Sequence, residues 1–159
     1  MEIIYQPIGL IYSPFKSLED MPIQPTSEAS GSGTVEIFPQ FIEGLKDLEG
    51  FSHIYLIYSF HKVLYPTLTV FPSLDMNPRG IFATRAPSRP NPIGLSLVKL
   101  IRLENNLIYV ERLDVLDRTP LLDIKPYIPG FENPQNVKIG WLKHILGVDR
   151  TLKSDEIFE

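Results

Sequence analysis

Fifteen prolines are distributed along the 159 residues of this chain, and they restrict its fold more than any other feature. Proline fixes its own φ angle, lacks an amide donor and disfavours helical geometry in the residue before it. The apolar segments between the prolines are short, which argues against the long helices of a bundle. We therefore expect a fold of short strands connected by turns and loops.

The strongest strand signal lies at residues 51–61, where aromatic and β-branched side chains dominate. Both alternating faces of this segment are largely apolar, which predicts a central strand. Asn105 and Asn106 tolerate left-handed backbone, so the flanking segments are expected to form a β-hairpin. Thr119 and Pro120 are expected to interrupt the chain before the last strand. Shorter strands are predicted at residues 8–12, 34–38, 68–70, 81–84, 95–103, 107–113 and 121–124.

Helical signals are few. Residues 39–48 predict a short helix, and residues 133–147 predict a C-terminal helix capped by Asn133, with Trp141 packed on the sheet. Residues 17–33 have the composition of a long loop. The pattern as a whole predicts an all-β protein, a small closed or nearly closed β-barrel with peripheral short helices and a C-terminal helix. We expect one barrel domain over residues 1–148 and a frayed acidic tail over residues 149–159.

The composition excludes several classes of function. The chain has no cysteine, which removes disulfide scaffolds, thiolate nucleophiles and cysteine zinc sites. Its three histidines are scattered, so no metal site is expected. No segment has the about 18 consecutive apolar residues of a membrane span, and we expect a cytoplasmic protein without membrane contact. A hydrolase triad of Ser88, His61 and Asp117 would lack a nucleophile-elbow motif and is a minor alternative.

The charge is unevenly distributed. The net charge is −4, but residues 79–125 carry eight Lys and Arg against five Asp and Glu. A basic zone on an acidic body suits a local contact with phosphates better than the wrapping of a long duplex.

A stiff polar loop occupies residues 84–92. Its three prolines hold the backbone extended, and apolar segments on both sides tether it to the predicted sheet. The polar side chains that project from it are Arg85, Ser88, Arg89 and Asn91. Binding loops are often built in this way. The alternative is a surface connection whose prolines lower the entropy of the unfolded chain, and the loop alone does not decide between the two.

Two longer motifs give this loop a context. The TsaA-like (TrmO) family has a paired signature that is similar to Arg85-Ala-Pro-Ser-Arg-Pro-Asn-Pro-Ile-Gly-Leu-Ser96 and Leu113-Asp-Val-Leu-Asp-Arg-Thr-Pro-Leu-Leu-Asp-Ile-Lys-Pro-Tyr127. The resemblance implies an S-adenosylmethionine-dependent methyltransferase that modifies N6 of threonylcarbamoyl-adenosine at position 37 of tRNA. It also implies a homodimer with cofactor sites near the interface.

The resemblance implies a set of site residues as well. The cofactor-binding positions that it implies are Gln24, Pro25, His61, Lys62, Arg85, Leu95, Asp114, Asp117, Thr119 and Pro120. The candidates for holding the loop or for binding the substrate RNA are Arg89, Asn91, Lys125 and Tyr127. Tyr127 could stack on a base or pack in the core. No residue is assigned as the catalytic base.

Methyl transfer from a sulfonium needs alignment of the reacting groups and removal of a proton more than covalent chemistry from the protein. Asp114, Asp117 and Asp123 are candidates to stabilise the sulfonium, although their spacing is also typical of Asx turns.

The chain departs from the family where Arg118 replaces a glycine and where Ala86 and Ser88 replace Ser and His. Many relatives also carry a further C-terminal domain. Two alternatives therefore stay open: a cofactor-binding module with a different or no methyl acceptor, and a plain nucleic-acid-binding barrel.

Overall fold

The computed structural model of this protein describes residues 1–21, 31–73 and 75–145. Within these residues, six strands form a closed antiparallel barrel and two short strands form a separate ribbon. The strands are β1 Gly9–Tyr12, β2 Gly31–Ile37, β3 His53–Ser59, β4 Thr69–Val70, β5 Arg79–Gly80, β6 Ile93–Glu104, β7 Leu107–Leu113 and β8 Thr119–Pro126. Their order around the barrel is β1-β2-β7-β6-β3-β8, and β8 closes on β1. The prediction of an all-β barrel is confirmed.

Strand β3 is central, as its two apolar faces predicted. It pairs with β6 along its whole length and with β8 on its other side. Alternate residues of β3 point into the core, where Ile54 and Leu56 are fully buried and Tyr58 is 5% exposed. The other walls contribute Ile, Val and Leu at alternate positions, so the barrel is filled with side chains. The core residues that surround those of β3 include Ile11, Val35, Ile37, Val98, Ile108, Val110, Leu113 and Leu121.

Antiparallel closure gives the barrel two chemically different ends. One end collects the carboxyl ends of β1, β3 and β7 and the amino ends of β2, β6 and β8. We call this end the rim; it is marked by Tyr12, Gly31, Ser59, Ile93, Leu113 and Thr119. The opposite end, the base, is marked by Gly9, Ile37, His53, Glu104, Leu107 and Pro126. Connections that leave the same end of different strands therefore lie close together, although they are distant in sequence.

Two strand predictions need correction. Residues 81–84 were expected to form a strand, but residues Ile81–Ala83 form a 3₁₀ helix that ends with Thr84 donating from its amide and its hydroxyl to the Ile81 carbonyl. Thr119 and Pro120 were expected to break the chain, but they begin β8, with Pro120 opposite Leu10. A proline near the start of a strand costs only one ladder hydrogen bond, which explains why it is tolerated there. The predicted hairpin is confirmed, with Asn105 in a left-handed conformation at φ 55°.

Short helices are present in both predicted regions, where they are 3₁₀ helices, and within the described residues the C-terminal one is shorter than predicted. Residues 39–48 form a 3₁₀ helix at Pro39–Leu45 and a second at Leu48–Gly50, separated by Asp47 at φ 67°. Of the predicted C-terminal helix, the described residues form only the 3₁₀ helix Gly140–His144. Asn136 and Gly140 have φ of 57° and 60°, and a left-handed residue cannot continue a right-handed helix.

The tryptophan of the C-terminal segment contacts the ribbon and the 3₁₀ helix that follows it. The indole Nε1 of Trp141 donates to the Ala83 carbonyl at 2.8 Å, and the Arg79 guanidinium lies 5.2 Å from the ring centroid. Residues 146–147 and the predicted acidic tail at 149–159 lie outside the described residues. No helix in the described part of the chain has both the length and the apolar character needed to cross a membrane.

Candidate cofactor-binding site

Most of the predicted cofactor-binding residues lie at the rim. They belong to connections that leave the rim or to the strand ends that form it. His61 and Lys62 follow β3, Leu95 lies near the start of β6, Asp114 follows β7, Asp117 precedes β8, and Thr119 and Pro120 begin β8. Arg85 lies in the connection that enters β6. Gln24 and Pro25 lie outside the described residues.

Asp117 joins two of these connections. Its Oδ1 accepts the Ser13 amide at 2.9 Å, its Oδ2 lies 2.8 Å from Lys16 Nζ, and its amide donates to the Phe15 carbonyl at 2.8 Å. Burial raises the pKa of this carboxyl. A larger opposite effect comes from the hydrogen bonds of Lys16 and Ser13 and from the charges of Lys16 and Arg118, so the pKa lies below its ordinary value. Asp117 is thus an ion-paired, hydrogen-bonded carboxylate that holds the connection after β1 against the connection between β7 and β8.

The turn that follows has an unusual backbone. Arg118 has φ 60° and leaves 78% of its side chain exposed. The buried hydroxyl of Thr119 donates to the Leu116 carbonyl at 2.7 Å and closes the turn. Glycine is the residue that adopts this backbone at least cost, so a side chain at position 118 raises the conformational energy of the turn.

Arg89 holds the proline loop together. Its Nη1 donates to the carbonyls of Ile81, Thr84 and Ala86 at 3.1, 2.8 and 3.3 Å. Of the two roles predicted for Arg89, the structure therefore supports that of holding the loop. Further bonds fasten the loop to the segment after β3, because the Pro92 carbonyl accepts the Phe60 amide at 2.7 Å and the Ser88 carbonyl accepts the Thr67 amide at 3.0 Å.

A buried hydrogen-bond chain reaches the rim from inside the barrel. The Tyr58 hydroxyl lies 2.9 Å from Ser96 Oγ, and Ser96 Oγ donates to Asp114 Oδ1 at 2.6 Å. The Tyr58 ring lies over Gly94, where a Cβ atom would overlap it. Burial, followed by the charge of Asp114, raises the pKa of Tyr58 to about 12, against a smaller opposing effect of the Ser96 hydrogen bond and Arg85.

Arg85 is exposed, and its charge acts on two tyrosines. Besides Tyr58 it lowers the pKa of Tyr55, although burial and the hydrogen bond to Glu132 raise that pKa to about 12 overall. The guanidinium therefore lies within electrostatic range of both hydroxyl groups. The pKa of His61 is lowered by burial and then by the Lys62 charge, so its imidazole is neutral at pH 7.

Comparisons with known proteins identify the family of this chain. Residues 10–133 match the tRNA-methyltransferase O N-terminal domain.

The chain belongs to this family.

Among its relatives is a probable S-adenosyl-L-methionine-binding protein of Pyrococcus abyssi, 54% identical over 89% of this chain and 77% of the relative. A tRNA (adenine(37)-N6)-methyltransferase of Mus musculus is 38% identical over 86% of this chain, but the match spans only 33% of that protein. A crystal structure of TrmO superposes with a TM-score of 0.75 at 39% identity, over 88% of this chain and 64% of that one. The predicted membership of the TsaA-like (TrmO) family is confirmed.

The structure does not bring every predicted site residue to the rim. Asn91 lies there, but Lys125 and Tyr127 lie toward the base, where Lys125 is opposite Tyr55 and the Tyr127 amide donates to the His53 carbonyl. Lys125 Nζ lies 3.0 Å from Asp123 Oδ2. The Tyr127 ring makes edge contacts with His53 and Tyr55. A surface depression of about 380 Å³ beside Leu45 and Leu103 also lies at the base, and none of the predicted site residues lines it.

Sequence reasoning missed Tyr58 and Ser96. The signal was present in the TrmO signature itself, because Gly94 and Ser96 take two successive inward positions of β6, where an apolar side chain would be expected. Which partners they meet depends on strand register, since Gly94 is opposite Tyr58 only when β3 and β6 pair as observed.

Proposed function

We propose that this chain binds S-adenosylmethionine at the rim and transfers its methyl group to N6 of threonylcarbamoyl-adenosine at position 37 of tRNA. The observation that carries the proposal is the presence of an anion and a cation, Asp114 and Arg85, around the buried Tyr58 hydroxyl at one rim. The methionine part of the cofactor carries both a carboxylate and a sulfonium cation. A rim that offers one charge of each sign therefore fits this ligand.

Bound S-adenosylmethionine supplies an already activated methyl group. The residues of this chain would then bind and orient: Arg85 would hold the carboxylate of the cofactor, and Asp114 would hold its cationic part. Polar groups of the neighbouring connections, among them His61, Lys62 and the start of β8, would line the remaining contacts. Alignment of this kind can account for a large share of the rate of a bimolecular transfer.

The proposed acceptor is tRNA, the substrate named for the mammalian relatives of this chain. Lys16 and Arg118 stand at the rim with 67% and 78% of their side chains exposed, and exposed cations are the groups that contact RNA phosphates. Asn91, Lys125 and Tyr127 remain proposed RNA contacts. A tRNA substrate would place the protein in the cytoplasm.

The test is methyl transfer from labelled cofactor to two transcripts of the same tRNA, one carrying threonylcarbamoyl-adenosine and one unmodified. We expect label only in the modified transcript, and its loss in Arg85→Ala. If the cofactor binds but neither transcript is labelled, the chain is an S-adenosylmethionine-binding module with a different or no acceptor. That reading has support of its own, because several archaeal relatives are named only for binding the cofactor.

We also propose that the protein forms a homodimer through the segment between β3 and β6. The described residues of this segment include six large apolar side chains that are each exposed by 68% or more: Leu64, Tyr65, Leu68, Phe71, Met76 and Phe82. An exposed apolar surface of this density is typical of an interface, and its position next to the rim would put a second subunit beside the cofactor site. Light scattering should give a dimer for the native chain and a monomer for Tyr65→Ser/Phe71→Ser; a native monomer would refute the proposal.

A further inference from the structure

A hydrogen-bonded chain of three polar groups, Tyr58, Ser96 and Asp114, lies at the rim of a mainly apolar barrel core. Tyr58 and Ser96 are 5% and 7% exposed, and the core around them consists of Ile, Val and Leu. Phe and Ala would fill nearly the same space without hydroxyl groups that must be desolvated on folding. Packing alone therefore does not explain these two residues.

The direction of their hydrogen bonds is determined. A serine hydroxyl has a single hydrogen, and that of Ser96 is donated to Asp114 Oδ1 at 2.6 Å. Ser96 must therefore accept the hydrogen of Tyr58, 2.9 Å away. The Tyr58 hydroxyl is thus bonded to Ser96 and the Ser96 hydroxyl to Asp114, and this chain holds the Asp114 carboxylate in a fixed orientation.

Asp114 differs from the two other candidate carboxylates. Asp117 is paired with Lys16 at 2.8 Å, and Asp123 with Lys125 at 3.0 Å. In the part of the chain that the structure describes, no lysine or arginine forms an ion pair with Asp114, and only its Oδ1 accepts a hydrogen bond. An anion that the fold fixes from the inside, and that has no ion pair among the described residues, is suited to a positively charged ligand.

We propose that Tyr58 and Ser96 are positioning residues that hold Asp114 as an oriented anion for the sulfonium of S-adenosylmethionine. This inference rests on the proposed function. The sulfonium loses its charge when the methyl group leaves, so the arrangement favours the methyl donor over its product, S-adenosylhomocysteine. Stabilising the charged ground state does not accelerate the transfer, so the effect belongs to binding and product release.

Calorimetry with both ligands separates these effects, because S-adenosylmethionine and S-adenosylhomocysteine differ by one methyl group and one charge. We expect the native chain to prefer the methyl donor. Ser96→Ala removes a hydrogen bond to a charged group and should reduce this preference roughly ten-fold, and Tyr58→Phe roughly three-fold. Affinity for the uncharged product should hardly change in either variant. Ser96→Thr, which keeps the hydroxyl, should restore the preference.

Tyr12→Phe is the matched control, because it removes a tyrosine hydroxyl that is hydrogen-bonded to a different carboxylate, Glu36, at 3.1 Å. It should leave the preference unchanged, and thermal unfolding of each variant checks that its fold is intact. Equal weakening of both ligands, or no change in a folded Ser96→Ala variant, would show a purely structural network and overturn the inference. If the native chain bound neither ligand, the proposed function would fail as well.

Discussion

Replacing Asp117 measures how firmly the rim is held. Asp117→Ala removes the acceptor of the Ser13 amide, a hydrogen bond to a charged group worth about 1.5–3 kcal/mol. The Lys16 partner is 67% exposed, so that ion pair adds at most about 1 kcal/mol. We expect a loss of about 2–3 kcal/mol in the free energy of unfolding. In Asp117→Asn the amide oxygen can still accept the Ser13 amide, and the loss should be about 1 kcal/mol.

The pH dependence gives an independent check. The pKa of Asp117 in the folded state lies below the ordinary value of 3.8, so the unfolded chain takes up a proton at higher pH than the folded one does. The stabilisation is therefore complete above about pH 5 and is lost as the pH falls through the lowered pKa of the folded state. The difference between the native chain and Asp117→Asn should be largest at pH 7 and should narrow below pH 4.

Urea unfolding followed by circular dichroism at pH 7 and pH 3 measures both effects. Equal losses in Asp117→Asn and Asp117→Ala would show that the Ser13 hydrogen bond contributes nothing. A difference between the native chain and Asp117→Asn that stays the same at both pH values would show that the charge of Asp117 is not involved.

Two further substitutions test the geometry of the rim. Gly94→Ala places a methyl group where the Tyr58 ring lies, and the forced shift should lower the free energy of unfolding by about 1–3 kcal/mol and weaken cofactor binding. An unchanged melting temperature would contradict the contact between Gly94 and Tyr58. Arg118→Gly relieves a left-handed backbone at the expense of a more flexible unfolded chain, so stability should stay equal or rise by up to about 1 kcal/mol. If Arg118 contacts a phosphate, the same variant should lower the salt dependence of tRNA binding by about one ion, and an unchanged slope would exclude that contact.

Much of the barrel could be predicted from the sequence because its strands carry local signals. The aromatic and β-branched residues of β3 and the asparagines between β6 and β7 specify conformation within a few residues. The segment after β5 was predicted wrongly for a reason that lies in tertiary structure. Its apolar residues are typical of a strand, but Arg89, eight positions after Ile81, donates to the carbonyls of Ile81 and Thr84 and holds the segment in a turn.

The prediction of the site residues was also limited by tertiary structure. His61, Asp114 and Thr119 could be assigned to strand ends, and antiparallel closure then brings those ends to one rim. Closure also separates Tyr127 from them, because it lies beyond the other end of β8. The pairing of Tyr58 with Ser96 depends on the register of β3 against β6, which no residue pattern in either strand specifies by itself.

We expect the cofactor to bind at the rim of the barrel and not at the base. Amide chemical shifts of the labelled protein, recorded with and without S-adenosylmethionine, test it directly. We predict changes concentrated in residues 13–17, 60–62, 85–96 and 114–120, with residues 38–50 and 104–107 unchanged. Changes concentrated at the base, with the rim unaffected, would contradict the account.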